Sequence, residues 1–163
     1  MVKKVVCKEA FFGAGCFWHV ELSFSKIPGV VETEVGFMGG DESYEKLSYK
    51  EVCSGITDHA EVARIIYDPK KITYKKLLQN FWKEHDPTQV NRQGPDIGSQ
   101  YRSAIFYTDE EQKKEATKSK AELQKKLGKQ KIATEILKAG KFYKAENYHQ
   151  KYLEKRGLNA CPF

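Results

Sequence analysis

The sequence predicts a two-layer α/β sandwich of the α+β class, in which helices pack against a mixed sheet. Three observations lead to this prediction. Helix-like and strand-like segments alternate along the 163 residues, the first six follow the order β-α-β-β-α-β, and no internal repeat, low-complexity tract or linker divides them. Interleaved helices and strands bury their apolar faces by packing a helical layer on a sheet. We therefore expect residues 1–163 to form a single domain.

The first half of the chain contains a predicted strand, a helix and two more strands. Residues 5–12 are expected to form the first strand, and residues 16–26 the first helix, which a Pro-Gly pair stops. Residues 30–37 alternate between apolar and polar side chains, as a second strand would. A polar stretch with a short helix-like piece then leads to a third strand at residues 60–67.

The second half of the chain begins with a helix capped by Thr73, and a strand at residues 100–108 follows it. A long helix over residues 109–127 and a short strand near residues 133–137 complete the pattern. The β-α-β-β-α-β order is the split βαβ arrangement of ferredoxin-like sheets, to which this chain adds C-terminal helices and an irregular tail. The intervening stretch at residues 86–99 is too long for a simple connection, so we expect it to line a site.

Composition limits the classes of protein to which the chain can belong. Hydrophobic residues make up 40% and charged residues 31%, which is ordinary for a globular domain. No run of 18 apolar residues is present to span a membrane, and the charged, interrupted start does not resemble a secretory signal. We expect a monomer in the cytoplasm, where its four cysteines would be thiols.

The net charge of +6 is unevenly distributed along the chain. Residues 1–60 carry a net charge of −3, and residues 61–163 carry +9. In this second part, however, lysines alternate with glutamates at helical spacings, which is typical of a solvated helix face. No recognition motif accompanies the charge, so we expect no nucleic acid among the partners.

Cys16 lies where the first strand passes into the first helix, through the residues Gly-Ala-Gly. Unsatisfied N–H groups and the helix dipole favour a thiolate at such a position. The glycines allow a substrate to approach the backbone, and the adjacent Phe17 and Trp18 can form an apolar pocket suited to a small group such as a methyl. The alternative interpretation is a buried cysteine among core aromatics. The corner between strand and helix favours the functional interpretation.

Polar residues with possible chemical roles occur at two other places. Glu61 precedes a run of apolar residues, and a carboxyl at the edge of a core has a raised pKa, which suits a general acid. Tyr49 lies upstream of it, and Asp96 and Tyr101 lie at the end of the long irregular stretch. An ordinary charge at a strand end and tyrosines at a sheet rim are equally compatible with these positions.

Taken together, the motifs of the chain resemble those of the peptide methionine sulfoxide reductases of the A type. The resemblance extends from about residue 8 to residue 154. It rests on an ordered series of motifs: GCFW, GFMGG, YKEVCSG, HAE, YDP, FWKEHDPTQ, RQGPDIGSQYRSAI, ATEI and AENYHQKYL. GCFW alone would be only suggestive, but so many motifs in order are highly specific.

The resemblance implies a ferredoxin-like sandwich and the reduction of the S epimer of methionine sulfoxide, free or in proteins. By position, Cys16 resembles the family's nucleophile and Glu61 its acid. Tyr49 and Tyr101 resemble the phenols that hold the sulfoxide oxygen. The methyl pocket corresponds to Phe17 and Trp18, and the supporting polar group to Asp96.

The chemistry implied by the resemblance needs no metal and no cofactor. Attack of the Cys16 thiolate on the sulfoxide sulfur, with protonation of the oxygen, gives methionine and a sulfenic acid. A second thiol then forms a disulfide, which thioredoxin or a similar dithiol reduces. Cys161 falls near the family's C-terminal resolving cysteine, although its surroundings lack the usual glycines. Cys53 is the alternative resolving residue.

Two further positions depart from the family pattern. His19 follows GCFW and Asp58 precedes HAE, where glycine is usual in both cases. His19 would either adjust the pKa of the thiol or, as we expect, be solvated.

Three other classes of function compete with a reductase as interpretations of these residues. A zinc site built from Cys16, His19, Cys53 and His59 would lack a paired C-x-x-C motif. A non-catalytic binding module would show no thiol-dependent turnover. A cysteine hydrolase using Cys16 with His59 or His149 would need no reductant.

Overall fold

The computed structural model describes residues 6–157 of the chain. It contains eight strands and five α-helices within that range. The strands are β1 (Lys8–Ala14), β2 (Val30–Met38), β3 (Ala60–Tyr67), β4 (Arg92–Gln93), β5 (Asp96–Ile97), β6 (Ser103–Tyr107), β7 (Glu135–Lys138) and β8 (Tyr143–Lys144). The helices are α1 (Phe17–Ser25), α2 (Tyr49–Cys53), α3 (Tyr74–Lys83), α4 (Glu110–Leu127) and α5 (Tyr152–Lys155).

Six of the strands form one mixed sheet in the order β7-β6-β1-β3-β2-β8. The central pairs are antiparallel, with β1 between β3 and β6, and β2 beside β3. Only β6 and β7 run parallel within this sheet. The inner order β6-β1-β3-β2 is that of a split βαβ unit, so the predicted α+β, ferredoxin-like architecture is confirmed.

Side-chain caps set the starts of the two longest helices. The Thr73 hydroxyl accepts a hydrogen bond from the Lys76 N–H at 3.2 Å, and α3 then buries its apolar stripe on the sheet. The Asp109 carboxylate accepts from the Gln112 N–H at 2.8 Å at the start of α4, and two lysines occupy its last turn. Both helices therefore begin within one residue of the predicted positions.

The main core lies between the sheet and helices α1, α3 and α4. The Phe12 ring of β1 stacks on Phe24 of α1 and on Phe81 of α3, at centroid distances of 5.0 and 5.2 Å. A separate apolar cluster lies where α1 meets β2, and it includes the buried Phe17 and Phe37. These contacts fix the end of β1 and the start of α1 relative to the sheet.

The structure differs from the sequence prediction in the second half of the chain. Residues 92–97, expected to be irregular, form the hairpin β4–β5. Residues 99–101 form a 3₁₀ turn, so β6 begins at Ser103 rather than at residue 100. The last helix is only one turn long, and Gly157 follows it with φ +65°, a left-handed conformation that commonly ends a helix.

Within residues 6–157, no helix is both long enough and apolar enough to cross a membrane.

Candidate active site

Cys16 occupies the N-cap of α1, immediately after β1. Gly15 makes the corner with φ +95°, and the Cys16 carbonyl accepts the first helical hydrogen bond from the Val20 N–H at 3.3 Å. The Cys16 side chain makes no capping bond and is partly exposed. The thiol therefore lies at the positive end of a nine-residue helix, where negative charge on sulfur is favoured.

Glu61 lies in β3, and its side chain is 1% exposed. One carboxyl oxygen, Oε1, accepts a hydrogen bond at 3.2 Å from the N–H of Phe17, the residue after Cys16. The other oxygen has no hydrogen-bond partner among residues 6–157. Burial raises the pKa of Glu61 to about 8, against the lowering effect of the Phe17 N–H, and the nearby charge of Asp96 raises it further. The carboxyl is therefore protonated at neutral pH.

Two phenols lie beside this carboxyl. Tyr49 begins α2 and Tyr101 ends the 3₁₀ turn, and the two phenols lie close enough to influence each other's pKa. Burial and the Glu61 charge raise the pKa of both, that of Tyr101 to about 12. Both phenols remain neutral at physiological pH and can donate hydrogen bonds. The Tyr49 hydroxyl also lies near the Cys53 thiol, whose own pKa is raised by burial.

Phe17 and Trp18 form an apolar surface that follows directly from Cys16. Phe17 is buried, and its ring lies 5.6 Å from that of Phe37 and 6.2 Å from that of Tyr49. Trp18 is half-buried and stacks on Tyr152, with ring centroids 3.7 Å apart and planes within 7°. A packed wall of this kind beside a reactive sulfur suits a small apolar group.

The β4–β5 hairpin lies against the Cys16 corner. A Cβ atom placed on Gly15 would come within 2.8 Å of the Gln93 Cβ, so this glycine permits the contact. Asp96, on β5, is half-buried and acts electrostatically on both Glu61 and Tyr101. The long stretch at residues 86–99 thus borders the site, as the sequence analysis predicted.

His149 completes the site, although the sequence analysis considered it only as a hydrolase base. Its Nδ1 accepts a hydrogen bond from the Trp18 Nε1 at 3.0 Å, and its ring lies 4.6 Å from that of Tyr49. Because Nδ1 is engaged by Trp18, this nitrogen is not available as a base for Cys16. The AENYHQKYL motif could have drawn attention to His149. It does not reveal the contact with Trp18, however, because the two residues lie 131 positions apart in sequence.

The remaining candidate residues lie apart from this cluster or outside the described range. The His19 Nε2 is 3.3 Å from the Glu84 Oε2, at the end of α3. His59 is buried, with Tyr143 at the edge of its ring. Asp58 has φ +56°, which is the backbone conformation that glycine adopts without strain. Cys161 lies outside residues 6–157, to which these structural statements apply.

Within residues 6–157, no group of three or more His, Cys, Asp or Glu side chains is placed to hold a metal ion. The zinc-site hypothesis therefore has no ligand set in the described structure.

Comparison with known proteins gives consistent results. The family model described as "Peptide methionine sulfoxide reductase" matches residues 8–163. The peptide methionine sulfoxide reductase MsrA of Methanosarcina acetivorans is 54% identical over 152 residues, which are 93% of this chain and 80% of that protein. The peptide methionine sulfoxide reductase A1 of Arabidopsis thaliana is 53% identical over 146 residues, 90% of this chain and 71% of its own length.

Solved structures show the same similarity. The chain superposes on Mxr1 from Saccharomyces cerevisiae in reduced form with a TM-score of 0.90 and 42% identity, over 99% of this chain and 93% of that one. It also matches Mxr1 in complex with Trx2, with a TM-score of 0.64 and 29% identity, over 99% of this chain and 91% of that one.

Proposed function

The chain belongs to the peptide methionine sulfoxide reductase family, and on this premise we propose that Cys16 reduces methionine sulfoxide with Glu61 as its acid. The observation that carries the proposal is the hydrogen bond from the Phe17 N–H to the Glu61 carboxyl. It places a protonated carboxyl against the residue that follows the thiol, and we infer that both groups act on one substrate. The enzyme reduces methionine sulfoxide to methionine in a thiol-dependent reaction.

Substrate orientation follows from the two sides of the site. The methyl group contacts the apolar surface of Phe17 and Trp18, and the sulfoxide oxygen faces the donors Glu61, Tyr49 and Tyr101. Asp96 supports the polar side through its charge. A chiral sulfur with its methyl and oxygen fixed in this way exposes its remaining face to Cys16 in one epimer only, which we assign as S from the family resemblance.

The chemical step transfers one oxygen and two electrons. The Cys16 thiolate forms a bond to the sulfoxide sulfur while Glu61 protonates the oxygen, and the phenols stabilise the charge that develops there. The S–O bond and the new S–S bond then break as the hydroxyl passes to the Cys16 sulfur, so methionine is released and Cys16 is left as a sulfenic acid. The sulfur of the substrate gains two electrons, and the sulfur of Cys16 loses them.

A second thiol then regenerates the enzyme. The thiol of Cys161 attacks the sulfenic acid, water leaves, and a disulfide forms. An external dithiol reduces this disulfide to two thiols. The structure of a relative in complex with Trx2 supports thioredoxin as that dithiol. Cys53, which lies near Tyr49, is the alternative resolving residue within the described structure.

We further propose that residues 1–163 form one catalytic domain that acts as a monomer in the cytoplasm. The family match over residues 8–163 supports a single domain. Catalysis by a cysteine thiol is compatible with a reducing compartment.

Turnover on the two separated sulfoxide epimers, with dithiothreitol as reductant, tests the proposal. We expect methionine from the S epimer alone, and none without reductant after the first turnover. Equal rates on both epimers would contradict the proposed orientation of the substrate. Methionine formation that continues without any reductant would contradict the reductase mechanism.

A further inference from the structure

Glu21 is a buried carboxyl on α1 that takes no part in the proposed chemistry. Its side chain is 2% exposed, and both of its oxygens accept hydrogen bonds. Oε2 accepts from the Thr33 hydroxyl on β2 at 2.9 Å, and Oε1 accepts from the Lys151 N–H at 2.6 Å. The second bond spans 130 residues and joins α1 to the C-terminal segment.

Lys151 has an unfavourable backbone conformation. Its φ of +54° and ψ of +37° are left-handed, and it forms the N-cap of α5. A residue with a Cβ adopts this conformation only where its surroundings impose it. The Glu21 bond to its N–H acts directly at this residue. The preceding residue, Gln150, is fixed to β2 by two hydrogen bonds of 2.8 Å. Its amide oxygen accepts from the Val35 N–H, and its amide nitrogen donates to the Val35 carbonyl.

In sequence, Lys151 lies between His149 and Tyr152, the two residues whose side chains hold Trp18. His149 accepts the Trp18 indole N–H at 3.0 Å, and Tyr152 stacks on the indole ring at 3.7 Å. The backbone direction at Lys151 therefore sets the position of Tyr152 relative to His149. Trp18 and Glu21 are three residues apart on α1, so they lie on the same face of the helix. The same face of α1 therefore carries both Trp18 and Glu21, and Glu21 anchors the segment that supports Trp18.

We propose that Glu21 is a positioning residue for the reaction: its carboxylate fixes the left-handed turn at Lys151 and so orients Trp18 through His149 and Tyr152. The inference rests on the proposed function, because it assigns Trp18 to the methyl pocket. Glu21 itself contacts no substrate. Its effect falls on substrate binding rather than on proton transfer.

Three variants separate this role from general stability. Glu21→Met keeps a similar length and apolar packing but removes both acceptors. Glu21→Gln can keep both hydrogen bonds with one of them reversed, because its amide oxygen can accept from the Lys151 N–H while its amide nitrogen donates to the Thr33 hydroxyl. Glu32→Ala is the matched control, since Glu32 pairs with the same Lys151 through the side-chain Nζ at 3.6 Å. That pair is about half exposed and contributes little.

For Glu21→Met we expect KM for the sulfoxide to rise about tenfold, while the single-turnover rate at saturating substrate stays within about threefold of wild type. Trp18 fluorescence, measured with Trp82→Phe as background because the chain has two tryptophans, should shift in the same variant. Glu21→Gln should restore KM and emission, and Glu32→Ala should change neither. An unchanged KM and emission in Glu21→Met, or a Gln variant as defective as Met, would overturn the proposal.

Hydrogen exchange on the wild-type protein provides a test that needs no variant and no activity. The Lys151 amide should be strongly protected, because its acceptor is a buried carboxylate. Exchange as fast as that of an exposed amide would overturn the proposal even if Glu21→Met did not fold. The fluorescence and exchange readouts do not require turnover, so failure of the proposed function would be seen separately, in the epimer assay.

Discussion

The proposed chemistry depends on the protonation state of one carboxyl, that of Glu61. Burial at 1% exposure removes the water that would stabilise its charge, and Asp96 adds a repelling charge. The single N–H from Phe17 offsets only part of this cost. With a pKa of about 8, the group holds a proton at neutral pH and can still release it to a developing oxyanion.

Replacement of Glu61 by glutamine should remove the proton donor without disturbing the fold. The amide oxygen can still accept from the Phe17 N–H, so the geometry around Cys16 is kept. We expect the rate of methionine formation to fall by roughly 10²–10⁴-fold, the usual effect of losing a general acid.

The pH–rate profile distinguishes an acid role for Glu61 from a steric one. In the wild type, the rate should fall as pH rises through about 8, because the donor loses its proton. That alkaline limb should be absent from the residual activity of Glu61→Gln. An alkaline decrease of the rate with the same midpoint in both proteins would show that Glu61 is not the acid.

The same carboxyl should affect stability. Its pKa in the folded protein, about 8, lies above the ordinary value of 4.5, so the folded state binds a proton that the unfolded state releases between these pH values. The contribution of this group to the free energy of unfolding is complete below pH 4.5. It decreases by about 1.4 kcal/mol per pH unit as the pH rises to about 8. Urea unfolding from pH 5 to 8 should show this slope in the wild type relative to Glu61→Gln. Parallel profiles for the two proteins would contradict a buried, protonated Glu61.

At the scale of elements, the hairpin β4–β5 packs on the corner between β1 and α1. Gly15 makes that packing possible, because it combines φ +95° with contact to Gln93. Gln93 is itself fixed, since its amide bonds both the N–H and the carbonyl of Asp86 at 2.9 Å. The hairpin therefore holds Asp96 at a set position relative to Cys16.

Gly15→Ala should displace the hairpin and reduce both stability and activity. A misplacement of about 1 Å at an active site can lower the rate on the order of 100-fold, so we expect a fall in kcat/KM of roughly 10–100-fold. Gly128→Ala is the matched control, because Gly128 also has a positive φ, +63°, but has open space around it.

The control should lose about 1–3 kcal/mol of unfolding free energy from backbone strain, because its ψ of −114° lies outside the left-handed helical region, and it should keep wild-type kcat/KM. Denaturant titration and steady-state kinetics on the two variants provide the comparison. Wild-type activity in Gly15→Ala would show that contact with the hairpin does not position the site.

The elements that the sequence predicted well are those with a long periodic pattern. Helix α3 has five apolar positions at helical spacing, and β3 is an almost continuous apolar run, so both were located within two residues. The hairpin β4–β5 was missed because strands of two residues carry no periodicity. Likewise β8 is defined only by its pairing with β2, and local sequence does not encode that partner.

At the scale of the whole molecule, the site joins segments that lie far apart in sequence. Cys16 could be singled out from its glycine-rich corner, and Glu61 from the apolar run that follows it. The roles of His149 and Glu21 could not be predicted in this way, because each depends on a partner 130 or more residues away. No local pattern marks a residue whose role is to hold another.

Regeneration of the enzyme is also a property of the whole chain. If Cys161 resolves the sulfenic acid, Cys161→Ser should still form methionine in a first turnover but should not be recycled by thioredoxin. A small dithiol should still restore the Cys16 thiol. Peptide mapping of the sulfoxide-treated wild type should show a Cys16–Cys161 disulfide, and a Cys16–Cys53 disulfide would transfer the resolving role to Cys53.

A single-turnover assay on Cys16→Ser tests the central claim most directly, namely that the Cys16 sulfur accepts the sulfoxide oxygen. The protein is mixed with the S epimer in excess and without reductant, and methionine is counted per chain while the oxidised cysteine is located by mass spectrometry. We predict one methionine per wild-type chain, with oxidation at Cys16, and none from Cys16→Ser, because a hydroxyl is a far poorer nucleophile. Methionine formed by Cys16→Ser at a comparable yield would contradict the mechanism.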